Sequence, residues 1–159
     1  MSATPTERLE SVDAVASTLN RLIGTNTDGE NGFRSAAGGV SDANLKRLFE
    51  GYSQQRAEFA EELQEELKRY AAELPESGHA APTLHRSLID GQASVTEQDD
   101  GAVISEREQG EDAAVKTYET ALSSPLPSEL RSIVERQFLR IKEAHDQVRS
   151  LERAHDRHT

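Results

Sequence analysis

Ala36-Ala37-Gly38-Gly39-Val40-Ser41-Asp42-Ala43-Asn44-Leu45 sets a helix stop beside a helix start. Consecutive glycines end a helix because they tolerate the left-handed backbone of a C-terminal cap. Ser41 or Asp42 then supplies an oxygen for the first free N–H groups of the next helix. On both sides the apolar residues recur every three or four positions. Upstream the stripe runs Leu9, Val12, Ala16, Leu19, Leu22/Ile23, Asn26, Glu30, Phe33, Ala37 and Val40. Downstream it runs Leu45, Leu48/Phe49, Tyr52, Gln55/Arg56, Phe59, Leu63, Leu67, Tyr70 and Leu74. That period is helical, and so short a link predicts antiparallel neighbours.

The same signals recur along the rest of the chain. Thr4-Pro5-Thr6-Glu7 reads as the first helix start, with Thr4 as cap and Pro5 at the first helical position. Pro75-Glu76-Ser77-Gly78 ends the second helix. Residues 79–98 are less regular, and Leu84, Leu88 and Val95 suggest a short helix after Pro82, broken near Gly91. Asp99 or Asp100 opens a third long helix, whose stripe is Ile104, Glu108, Glu111, Val115, Tyr118 and Leu122. Ser123-Ser124-Pro125-Leu126-Pro127 breaks it. A fourth follows from Pro127, with Leu130, Val134, Gln137/Phe138, Ile141, His145, Val148, Leu151 and His155 on one face.

Simple antiparallel neighbours need links of only about 2–8 residues, so the long middle segment predicts a crossover. The expected fold is all-α, a single domain over 1–159. It is an antiparallel four-helix bundle of ferritin-like type, with a crossover containing a short helix between helices two and three.

Composition narrows the function classes. Apolar residues make up 35% of the 159 and no Trp is present, which suits long helices that bury one stripe each. The net charge of -11 argues against nucleic acid and anionic membrane as partners, since both need clustered Lys and Arg. There is no Cys, which removes disulfides, thiolate catalysis and Cys-based metal sites. No signal-peptide pattern opens the chain and no run is apolar enough to span a membrane, so the expected location is the cytoplasm.

The core stripes turn polar at particular places: Glu30 on the first helix, Gln55/Arg56 on the second, Glu108 and Glu111 on the third, Gln137 and His145 on the fourth. Buried ionisable groups are costly unless paired or metal-bound. Counting from the turns at equal rise per residue brings Glu30 near Gln55/Arg56, and Glu111 near Gln137. Three readings follow. In the first, Glu30, Gln55, Arg56, Glu111 and Gln137 form a structural polar layer, with the Arg56 fork bridging the two carboxylates. In the second, Glu30, Glu108, Glu111 and His145 hold iron or another divalent metal. That reading lacks the Glu-x-x-His pairs of di-metal bundles: the second helix has Glu58-Phe59-Ala60-Glu61 and the fourth Lys142-Glu143-Ala144-His145. In the third, these side chains face solvent. Gly29 and Gly110, each preceding one of the glutamates, would let neighbouring helices approach closely.

Several strings together resemble a known family. They are Asp28-Gly29-Glu30-Asn31-Gly32-Phe33, Gln55-Arg56-Ala57-Glu58-Phe59-Ala60-Glu61-Glu62-Leu63, Leu84-His85-Arg86, Gln109-Gly110-Glu111-Asp112-Ala113-Ala114, Val134-Glu135-Arg136-Gln137 and His145-Asp146. They resemble a bacterial family of ferritin-like four-helix bundles known only as a domain of unknown function. The resemblance spans roughly residues 8–152; it implies the fold and brings no reaction with it. The expectation is a non-catalytic bundle without a cofactor, catalytic residues or nucleic-acid or membrane partners. It would act through protein contacts, as a homodimer or with another protein, or in a stress-related role. A di-metal carboxylate protein for iron binding, oxidation or storage is the alternative.

Overall fold

The computed structural model describes residues 5–72 and 99–157. These form four helices and no strand: α1 (Pro5–Gly39), α2 (Ala43–Ala72), α3 (Asp100–Ser123) and α4 (Ser128–Arg157). The predicted short helix around Leu84 and Leu88 and the His85-Arg86 pair lie outside the described residues, as do Thr4 and the stop at Pro75–Gly78.

The helix ends are set by the residues that signal them. Pro5 is the first residue of α1, and Gly39 its last. The Asp42 carboxylate accepts from the Asn44 and Leu45 amides at 2.7 and 3.1 Å, which caps α2. Asp99 caps α3 by accepting from the Ala102 amide at 2.7 Å. The Asp100 carboxylate turns to the α1–α2 link instead. It accepts from the Ser41 amide at 2.9 Å, the Ser41 hydroxyl and the Asp42 amide. Between α3 and α4, the Arg131 guanidinium donates to the carbonyls of Leu122 (2.8 Å) and Ser124 (2.9 Å), satisfying oxygens that the helix end leaves without partners.

α1 packs along α2, α3 along α4, and α1 also lies against α3, whereas α2 meets α4 only lightly. The buried side chains divide into two apolar clusters. One is built on Leu19, Leu22, Ile23, Leu63, Tyr118, Val134 and Ile141. The other is built on Phe33, Phe49, Val103, Ile104 and Val148. Phe33 meets Phe49 and Tyr52 with ring centroids 5.8 and 5.1 Å apart.

The stripes are rotated slightly from the sequence reading at several places, two of them on α1 and α3. On α1 the inward position is Gly29, and Glu30 beside it is partly exposed. On α3 Ala114 and Ala121 are buried, with Val115 and Leu122 at the margin. A helix advances 100° per residue, so adjacent positions compete for one inward direction and local packing decides between them.

The Asp100 contacts give a test. Asp100→Ala removes the acceptor that joins the start of α3 to the α1–α2 link, and is expected to cost about 1 kcal/mol in urea denaturation. A change indistinguishable from zero would mean that this contact does not hold the two segments together.

Candidate functional site

Arg56 lies in the middle of α2 with none of its surface exposed. Its stem runs inward past Gly29, where an added Cβ would sit 3.1 Å from a guanidinium nitrogen and 3.3 Å from Cγ. The glycine thus makes room for an arginine side chain rather than for a neighbouring helix backbone. The guanidinium then meets Glu111 of α3 with both nitrogens, Nη1 to Oε2 at 2.9 Å and Nη2 to Oε1 at 2.5 Å. Glu111 is 1% exposed. The α2 and α3 backbones do not touch, so this fork-to-carboxylate contact crosses the bundle interior. Phe33 lies beneath the guanidinium, 5.3 Å from carbon to ring centroid.

A second polar chain runs beside it. The buried Asn26 amide donates to the Leu22 carbonyl and, at 2.7 Å, to the Tyr118 hydroxyl. Tyr118 donates to Gln137 at 2.7 Å, and Gln137 donates to Glu62 at 2.8 Å. Glu62 also takes Arg136, near the surface. Burial pushes the Tyr118 phenol well above its usual range, so it remains a neutral donor. All four helices therefore contribute to this polar level, in which the ion pair lies between the two apolar clusters and the Asn26–Tyr118–Gln137–Glu62 chain runs within the first.

The residues singled out in the sequence separate into three groups. Arg56, Glu111 and Gln137 are in this level, although Gln137 bonds Tyr118 and Glu62 and not the ion pair. Glu30 is not bridged by Arg56. Its carboxylate takes Arg34 one turn along α1 at 2.6 Å, and its backbone carbonyl accepts from the Ser53 hydroxyl at 2.8 Å. The Gln55 carbonyl oxygen is buried and meets no donor among the described residues. Glu108 and His145 lie on the outer seam between α3 and α4. The Glu152 carboxyl beside Glu108 raises the Glu108 pKa, and Arg149 is 3.8 Å away. His145 meets Asp112 at 2.5 Å and Asp146 at 3.3 Å.

These positions bear on a metal centre. Both oxygens of Glu111 are held by Arg56, Glu30 turns to Arg34, and Glu108 and His145 turn to separate partners on the seam. Among the described residues no group of three or more His, Asp or Glu side chains converges as ligands would. The four candidate ligands do not fit one ion.

Sequence reasoning did not pick out Tyr118, Asn26, Ser53 or Glu62 as members of the polar level. Tyr118 and Asn26 stood on the core stripes, and a buried phenol or amide needs a hydrogen-bond partner. That requirement was the available signal. Glu62 gave none, since it belongs to a run of glutamates that resembles a solvated face.

A family model described as a domain of unknown function, DUF2383, matches residues 14–124. The match takes in Arg56 and Glu111 and ends at Ser124, before α4. A comparison with curated proteins finds no match.

Arg56→Ala strands Glu111 in the interior. Removing one partner of a buried pair costs about 3–5 kcal/mol. A lone buried carboxylate then takes up a proton more readily than in the unfolded chain, so the loss shrinks as the pH falls from 7 to 5. Arg56→Met with Glu111→Leu removes both charges and is expected to lie within about 2 kcal/mol of the wild type or above it. Denaturant melts of the three proteins at both pH values check this; equal losses in the single and double variants contradict it.

His145 gives a second test. Burial alone lowers its pKa, but the hydrogen bonds and charges of Asp112 and Asp146 outweigh burial and leave it raised. The pair therefore stabilises the fold below the unfolded-state pKa of about 6.5, and that contribution is lost as pH rises through the folded-state value. Asp112→Asn is expected to shift the His145 NMR titration midpoint downward. An unchanged midpoint would remove Asp112 as the cause.

Proposed function

The chain belongs to the DUF2383 family, a domain of unknown function, and we propose that it is a non-catalytic helical bundle acting through protein contacts. One observation carries this reading: the interior cation is Arg56, wholly buried and held bidentately by Glu111. Di-metal bundles set inward-facing carboxylates and histidines on a metal. Here the principal inward carboxylate is already neutralised by a side chain. A guanidinium stays protonated throughout the working pH range and offers no open coordination position. The chemistry of this interior is structural, which leaves the surface to act.

The arrangement proposed is an antiparallel bundle of ferritin-like type. Its support is the order of contacts. Phe33 meets Phe49, the Glu30 carbonyl meets Ser53, and Gly29 meets Arg56, so partners on α2 rise in number as those on α1 fall. Asp100 touches Ser41 and Asp42, which sets the starts of α2 and α3 side by side. Helices two and three start at the same end in a ferritin-like bundle with one long crossover, and at opposite ends in a simple up-down-up-down bundle.

The partner proposed is another protein or a second copy of the chain, in the cytoplasm, in a stress-related role. The charge of -11 supports a protein over nucleic acid or an anionic membrane. No helix among the described residues is long and apolar enough to cross a membrane.

Fe(II) added in air to protein purified without a histidine tag tests the reading. Oxygen uptake is expected to match buffer alone, with no stoichiometric iron retained after desalting. Two irons per chain, lost in Glu111→Ala, would overturn the non-catalytic reading in favour of a di-metal protein.

A further inference from the structure

Arg107 of α3 presents an imbalance that the Arg56–Glu111 pair does not resolve. Its guanidinium lies over the Phe33 ring, 5.2 Å from carbon to centroid, while the Arg56 guanidinium lies 5.3 Å from the same centroid. Two cations thus share one aromatic ring. The one buried carboxylate beside them, Glu111, already gives both oxygens to Arg56. Among the described residues Arg107 makes no hydrogen bond and no ion pair of its own. The fields of Glu111 and of the exposed Glu106 reach it, but burial outweighs them and lowers its pKa.

The backbone is shaped around this side chain. A Cβ at Gly32 of α1 would lie 2.3, 2.4 and 2.5 Å from Nη1, Cζ and Nη2 of Arg107. Those near-equal distances place the guanidinium plane face-on over Gly32. A Cβ at Gly110, one turn along α3, would lie 3.0 Å from Nη2. Glycine at these positions leaves the guanidinium a defined resting place. The Gly32 cradle engages one face, the Phe33 ring lies close by, and the N–H fork meets no acceptor among the described residues.

Holding an unpaired cation half-buried is costly. A cation–π contact offsets only part of that cost. A planar fork of N–H donors with no acceptor matches a carboxylate or phosphate, which it can take bidentately. We infer that Arg107, cradled by Gly32 and Gly110 on Phe33, anchors a binding site for a small oxyanion. The ligand supplies the negative charge that Glu111 cannot give to both arginines. This site goes beyond the non-catalytic reading and does not rest on it.

The test compares the wild type with Arg107→Met, whose unbranched chain fits the same cradle without charge. Both are melted in sodium chloride, sodium acetate and sodium phosphate at equal ionic strength and pH. General salting effects act on both proteins alike. A bound anion stabilises only the protein that holds it. At about five times its Kd it raises the melting temperature of a domain this size by about 2–4 °C. The expected result is an extra rise of the wild type over Arg107→Met in phosphate, acetate or both, and the effective anion assigns the ligand class. Parallel melting in all three salts overturns the site. If Arg107→Met does not fold, amide NMR of the wild type decides. Saturable shifts of the Gly32 and Gly110 resonances in a phosphate or acetate titration support the site, and their absence overturns it.

Discussion

The contact between Arg56 and Glu111 joins two helices whose backbones do not otherwise meet. Every neighbour of the guanidinium is placed by that reach. Gly29 lacks a side chain where the stem passes, Phe33 offers a ring face beneath the charge, and the two apolar clusters lie to either side. An ion pair so deep adds little net stability over a well-packed apolar pair, because desolvation offsets most of the Coulomb attraction. It is demanding in another sense: each member is tolerable only while the other is in position. Sliding α2 against α3 would strand both charges. The pair therefore penalises alternative helix registers that apolar stripes alone would accept.

The Asn26–Tyr118–Gln137–Glu62 chain extends the same constraint to α1 and α4. It runs from the interior outward, ending where Glu62 meets Arg136 near solvent. The satisfaction is incomplete. The Asn26 Oδ1, Gln55 Oε1 and Arg56 Nε atoms are buried and meet no partner among the described residues. Orphaned atoms cluster where a helical bundle trades apolar packing for polarity, and each one weakens a level that would be stronger if fully paired. The level is thus better suited to specifying one arrangement than to adding stability.

The outer surface follows a different rule. Several ion pairs there, such as Arg34–Glu30 and Arg140–Glu143, join residues within one turn of one helix and contribute little each. On the α3–α4 seam, Asp112 raises the pKa of His145 and Glu152 raises that of Glu108, each acting from the facing helix. On the function proposed above, such a bundle would offer partners its surface rather than a reactive pocket.

The amino-acid sequence by itself determined the helices. The Gly38-Gly39 stop, the Asp42 and Asp99 caps, the proline breaks and the three-and-four spacing of apolar residues act within a few positions along the chain, so local reading recovers them. It also marked Arg56 and Glu111 as inward-facing charges, because a charge on an apolar stripe stands out. Which charges meet was decided only in three dimensions. Glu30 and Gly29 are adjacent on a helix, and a rotation of one position sends the glutamate outward to Arg34 and brings the glycine against Arg56. Arg107 drew no attention in the sequence, since a single arginine next to two glutamates reads as surface. Its place over Gly32 and Phe33 depends on how α3 lies against α1. Spacing along one helix sets a direction to within about 100° per residue. The partner at the end of that direction belongs to another helix, and only packing brings the two together.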